Sequence, residues 1–145
     1  ASAARARVIL AGRPAERVEA ACEAIAQHRF RGERGPSTLE AQVLYDADKL
    51  DAIGAIGVAR AYAIAGLYHQ RLWAEVPEDY AQRAPTAGRA DLDADEHTPV
   101  HEFRFKLVKL ADRLYTAAGR QIAKERHQFM ATFFERLERE VRGEV

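Results

Sequence analysis

Leu39-Glu40-Ala41-Gln42-Val43-Leu44-Tyr45-Asp46-Ala47-Asp48-Lys49-Leu50-Asp51-Ala52-Ile53-Gly54-Ala55-Ile56-Gly57-Val58-Ala59-Arg60 holds three carboxylates in an otherwise Ala-, Leu-, Ile- and Gly-rich run. Its apolar positions (39, 43, 44, 50, 53 and 56) continue at helical steps to Tyr62 and Leu67. That is too long and too rich in Gly for one uninterrupted surface helix, so Gly54 and Gly57 are expected to mark tight packing or a kink.

The flanking sequence is read as helices too. Residues 3–11 are Ala- and Arg-rich and stop at Gly12; Pro14 suits the first turn of a second helix, with Val18, Cys22, Ile25 and Ala26 at three- and four-residue steps. Ser37 or Thr38 is placed to cap the next helix, with Glu40 beside the capping-box position. Thr98-Pro99 looks like a cap and first turn, followed by an apolar stripe at Val100, Phe103, Leu107, Leu110 and Leu114. A last helix is expected after Gly119, with Ile122, Phe129, Met130, Phe133, Leu137 and Val141 on one face, and Phe103, Phe129, Phe133 and Phe134 in the core. Residues 75–97 hold two Pro, Gly88 and many charges without periodicity, and read as a loop. No window alternates like a half-buried strand, so the expected fold is all-α, with five or six helices.

Composition bounds the function. The 145 residues are 48% hydrophobic and 30% charged, which suits one soluble domain. Lys plus Arg and Asp plus Glu both number 22, so no net field points to a nucleic-acid polymer or an anionic membrane. No apolar stretch reaches the roughly 18 residues of a spanning helix, and no secretory signal is evident, so a cytoplasmic location is expected. The single Cys22 reads as a small buried hydrophobe.

Asp46, Asp48 and Asp51 need a reason, because a carboxylate directed into an apolar core is costly unless paired or bound to a cation. Asp48 and Asp51, three apart, lie near one helix face, and Asp46 points elsewhere as a cap or as support for the site. Lys49 stands beside Asp48, where a substrate phosphate would meet it. A solvated face of charge pairs is the competing reading. A calcium loop is excluded: its fifth, sixth and twelfth positions would be Leu50, Asp51 and Gly57 where a polar ligand, Gly and Glu are required.

Residues 40–60, together with Ala24-Ile25-Ala26-Gln27-His28-Arg29-Phe30 and the closing helices, resemble the C-terminal part of small bacterial HD-domain hydrolases related to nucleotide pyrophosphohydrolases. That resemblance implies an HD-like helical bundle lacking its N-terminal helices, with residues 1–145 the C-terminal portion of one domain. It implies a phosphoester or phosphoanhydride hydrolase acting on a nucleotide or related phosphorylated small molecule, with a divalent cation (Mn, Mg, Ni or Fe) as cofactor. In the family the metal is held by a His, a His-Asp pair and a distant Asp in the Ala-Asp-Lys-Leu context, which corresponds to Asp48. The resemblance further implies phosphate contact by Lys49, a cleft position for His28, and supporting roles for Glu40 and Arg60.

One departure is large. None of the five His precedes an Asp, so the His-Asp pair is absent from this sequence. With a start at Ala-Ser-Ala rather than Met, the expectation is a missing N-terminal part, an inactive chain on its own, and self-association into a homo-oligomer through uncovered apolar surface. The alternative is a non-catalytic helical binding or oligomerisation module that keeps the scaffold without the metal. Arg31 and Arg34 either reach an anionic substrate or are solvated, Arg60 is expected to pair with a carboxylate, and His28 divides between cleft and helix end. His97 and His101 are not expected to form a helical zinc pair, because His97 precedes the Thr98-Pro99 start. His69 and His127 are expected to be solvent or packing residues.

Overall fold

A computed structural model of the chain describes residues 2–27, 35–78, 80 and 97–145. Among these are six α-helices and no strand: α1 (Ser2–Ile9), α2 (Ala15–Gln27), α3 (Leu39–Leu50), α4 (Gly54–Leu67), α5 (Pro99–Phe105) and α6 (Ala117–Val141), with 3-10 turns at Leu107–Lys109 and Ala111–Arg113. No single described helix is long and apolar enough to cross a membrane.

Local chemistry sets the helix ends. Gly12 takes a φ of 90° after α1, a conformation without cost only for glycine. Thr38 caps α3, its Oγ1 accepting from Ala41 N at 3.2 Å. The long apolar run breaks at residues 51–53, and α4 restarts at Gly54 with φ 74° and an axis bent by 64° from α3. A Cβ on Gly54 would stand 2.9 Å from Arg126 Cβ, so the kink also needs glycine for close approach to α6.

The core lies where α3, α4 and α6 meet the 3-10 turns. Ile53, Met130 and Ala123 are fully buried among Tyr45, Val58, Leu107, Leu110, Leu114 and Phe134. Phe103 stacks on Phe134 at 4.4 Å between centroids, and Tyr62 packs edge-on against Phe133. Toward the N-terminus, Cys22 is buried as expected, its Sγ donating to Ala3 O at 3.3 Å, and Arg7 pairs with Glu19 at 2.5 Å to hold α1 on α2. That carboxylate raises the Arg7 guanidinium above its ordinary pKa.

Three expectations are corrected. The stripe from Val100 to Leu114 is not one helix: α5 ends at Phe105, and Lys106 (φ −128°, ψ −57°) leaves the helical region. Successive 3-10 turns, with a three-residue period, still direct Leu107 and Leu110 inward. The last helix starts at Ala117, before Gly119, with Thr116 as cap and its Oγ1 accepting from Gly119 N at 3.0 Å. Its buried face is Gly119, Ala123, Met130 and Phe134, which leaves Ile122, Phe129 and Val141 largely exposed. One residue off along a helix is a turn of about 100°, enough to carry Phe129 out of the core while Met130 enters it. Of the expected loop at 75–97, residues 79 and 81–96 lie outside the described residues, and Tyr80 is buried.

Candidate functional site

The acidic turn of α3 separates its carboxylates by role. Asp46 is 3% exposed and reaches the start of α6, accepting from Tyr115 N at 2.9 Å, Thr116 N at 2.8 Å and Thr116 Oγ1 at 2.6 Å. An anion here meets the positive end of the helix dipole and satisfies backbone donors that otherwise have no partner. Gly119 is required for this approach: a Cβ there would lie 2.5 Å from Asp46 Oδ2 and 2.8 Å from Thr116 Oγ1. These bonds match the cap among the two sequence alternatives for Asp46, a cap or support for a metal site.

Asp48, two residues on, turns outward. Its side chain is 47% exposed, and Oδ2 accepts from Lys49 Nζ at 2.6 Å. Lys49 is itself buried, with Nζ 4.5 Å from the centre of the Tyr45 ring, so its ammonium is held between a carboxylate and an aromatic face. Tyr45 packs edge-on against Tyr115 at 5.2 Å, and burial, reinforced by Tyr115 and the two neighbouring carboxylates, pushes its phenol above the usual pKa. Asp51 is exposed and caps the end of α3 through its backbone N–H. Arg126 Nη1 donates to Leu50 O at 2.6 Å, so α3 is tied to α6 both through Asp46 and at its C-terminal end. No local motif marks Arg126 or Thr116, whose partners lie 76 and 70 residues away in sequence.

The remaining candidates are dispersed. Glu40 is exposed in the first turn of α3. His28 and Arg31 lie outside the described residues. Arg60, expected in an ion pair, has none within reach among the described residues; it points to a small cavity between α4 and α5 shared with Glu102 and Lys106. Glu102 and Lys106 form an ion pair whose one signal in the sequence is the i,i+4 spacing that favours it.

A second polar cluster surrounds α5. Tyr80 Oη and His97 Nδ1 are 2.6 Å apart, Thr98 Oγ1 and His101 Nδ1 2.9 Å, and His97 Nε2 lies 3.6 Å from Glu102 Oε2. The two imidazoles are buried together, and burial, with His97, Arg104 and Arg71 nearby, lowers the His101 pKa to about 4.

Asp48 contributes a single carboxylate, and no group of three or more His, Cys, Asp or Glu side chains is gathered for a metal among the described residues. Several N and O donors are required for a tightly held divalent ion. The described residues therefore do not fit a complete metal site.

No family model matches the chain. A solved HD-superfamily hydrolase from Bacillus thuringiensis aligns with a TM-score of 0.54 and 32% identity, over 72% of this chain and 47% of that one. The crystal structure of Bacillus subtilis YpgQ aligns with a TM-score of 0.74 and 29% identity, over 100% of this chain and 67% of that one. The chain is thus similar, in fold and in sequence, to an HD-superfamily hydrolase and to YpgQ. By sequence it is 34% identical to YpgQ over 117 residues, 79% of this chain and 47% of the relative. It thus spans about half the length of the curated relative it matches. A structure of YpgQ in complex with ADP aligns with a TM-score of 0.69 and 29% identity, over 96% of this chain and 62% of that one.

Proposed function

We propose that residues 1–145 are the C-terminal portion of an HD-type, metal-dependent phosphohydrolase domain that acts on a nucleotide or a related phosphorylated small molecule. The likeness to an HD-superfamily hydrolase and to an ADP-bound neighbour supports a nucleotide-related HD-type role. The observation that carries the site is the contrast along one helix: Asp46 is consumed by the fold, whereas Asp48 is held outward on a segment pinned to α6. On this reading Asp48 is one ligand of a divalent cation whose other ligands lie outside these residues. Lys49 fixes Asp48 and, with Arg60, faces the substrate; Glu40 and Asp51 support the acidic turn, and His28 and Arg31 are assigned to the same cleft from sequence alone.

The test is hydrolysis by the complete protein of a nucleotide panel including ADP, with Mn²⁺, Mg²⁺, Ni²⁺ or Fe²⁺ supplied in turn. Asp48→Ala is expected to lower kcat/KM by at least about 100-fold, as loss of a metal ligand does. Turnover of no nucleotide with any of these ions, or wild-type turnover by the variant, refutes the reading.

A further inference from the structure

The cavity between α4 and α5 is lined by the apolar Ala52, Gly57, Ala61, Ile64 and Leu107 and by the charged Arg60, Glu102 and Lys106. Its volume is about 70 Å³. That is ample for a group of phosphoryl size, since a single water needs about 10–15 Å³.

Its charge has the matching sign. Two cations face one carboxylate, and Arg60, exposed, has no hydrogen-bond or ion-pair partner among the described residues. Glu102 is 15% exposed, its Oε1 accepting from Lys106 Nζ at 2.5 Å and its Oε2 lying 3.6 Å from His97 Nε2. The carboxylate thus keeps the Lys106 ammonium beside the cavity. Ala52, Gly57 and Ala61 add little bulk beside the two cations, and the planar guanidinium can take two phosphoryl oxygens at once. Ala52, at the α3–α4 bend four residues beyond Asp48 in sequence, lines the cavity.

We infer that this cavity is a phosphoryl subsite of the nucleotide site, gripped by Arg60 and Lys106, with Glu102 as the internal counterion that the phosphoryl group displaces from Lys106. The inference rests on the proposed function and extends it to Lys106 and Glu102.

Calorimetric titration of the complete protein with ADP, adenosine and inorganic pyrophosphate tests it. Arg60→Gln and Lys106→Gln should each weaken ADP and pyrophosphate about tenfold or more while leaving adenosine within twofold, the loss of one charge-assisted contact to a phosphate. Glu102→Gln should tighten ADP, because Lys106 then has no competing carboxylate. Wild-type binding of ADP with both cation variants within twofold overturns the subsite and leaves the hydrolase reading standing. A wild type that binds neither ADP nor pyrophosphate overturns both. Tight binding of pyrophosphate but not ADP, lost in the same variants, supports the subsite and assigns it to free polyphosphate.

Discussion

Replacing Asp46 by alanine would strip the acceptor from two backbone N–H groups and one hydroxyl at the start of α6, at distances of 2.6 to 2.9 Å. Bonds to an ionised acceptor contribute about 1.5–3 kcal/mol each, but the three share one carboxylate and are not additive. A net loss of about 3–4 kcal/mol is expected, a large share of a typical domain's stability of about 5–15 kcal/mol. At about 3 °C per kcal/mol for a chain of this size, the melting temperature should fall by about 10 °C. Asp46→Asn keeps one acceptor but turns an amide donor toward other donors, so about 2 kcal/mol is expected. Asp48→Asn takes the charge from beside the buried Lys49 ammonium but keeps an oxygen to accept from it, so about 1 kcal/mol is expected. Urea denaturation of the three variants by circular dichroism measures this directly. Asp46→Ala within 1 kcal/mol of wild type, or Asp48→Asn more damaging than Asp46→Asn, would refute the division of roles along α3.

Gly119→Ala would ordinarily gain up to about 1 kcal/mol of helix propensity, but the contacts with Asp46 and Thr116 should reverse the sign, which thermal melting will show. Met130→Ala, at a fully buried position, should cost about 2–5 kcal/mol in chemical denaturation, whereas Phe129→Ala should cost far less. His101, neutral in the fold with its pKa lowered to about 4 from an unfolded value of about 6.5, binds fewer protons folded than unfolded between those values. Stability should therefore fall as pH drops through that window, and His101→Gln should flatten the dependence of the urea midpoint between pH 7 and pH 5. Val8, Ile9, Leu67 and Leu72 are each about 70% exposed or more, so the isolated chain should self-associate, and a monodisperse monomer in light scattering would contradict this.

Helix type and most helix ends were legible because they depend on neighbouring residues: Thr38 before α3, Gly12 after α1, and the break announced by Gly54. The path after Phe105 was not, since a stripe at residues 103, 107, 110 and 114 serves an α-helix and a pair of 3-10 turns almost equally, and only packing against α6 separates them. The face of α6 was misread for a related reason: with apolar residues at both 129 and 130, the 3.6-residue period does not decide which one enters the core.

For the site, spacing alone set Asp48 and Asp51 on one helix face and singled out the acidic turn, and the resemblance pointed to HD chemistry. Tertiary structure alone assigned the carboxylates: Asp46 to the N-terminus of α6, Asp48 to Lys49 and solvent. It also brought Arg60 of α4 beside the Glu102–Lys106 pair, about 40 residues distant in sequence. A sequence records which charges are present at local spacing; which of them is neutralised by the fold and which is left to meet a ligand depends on distant backbone donors and counterions, and those are positioned only when the helices pack.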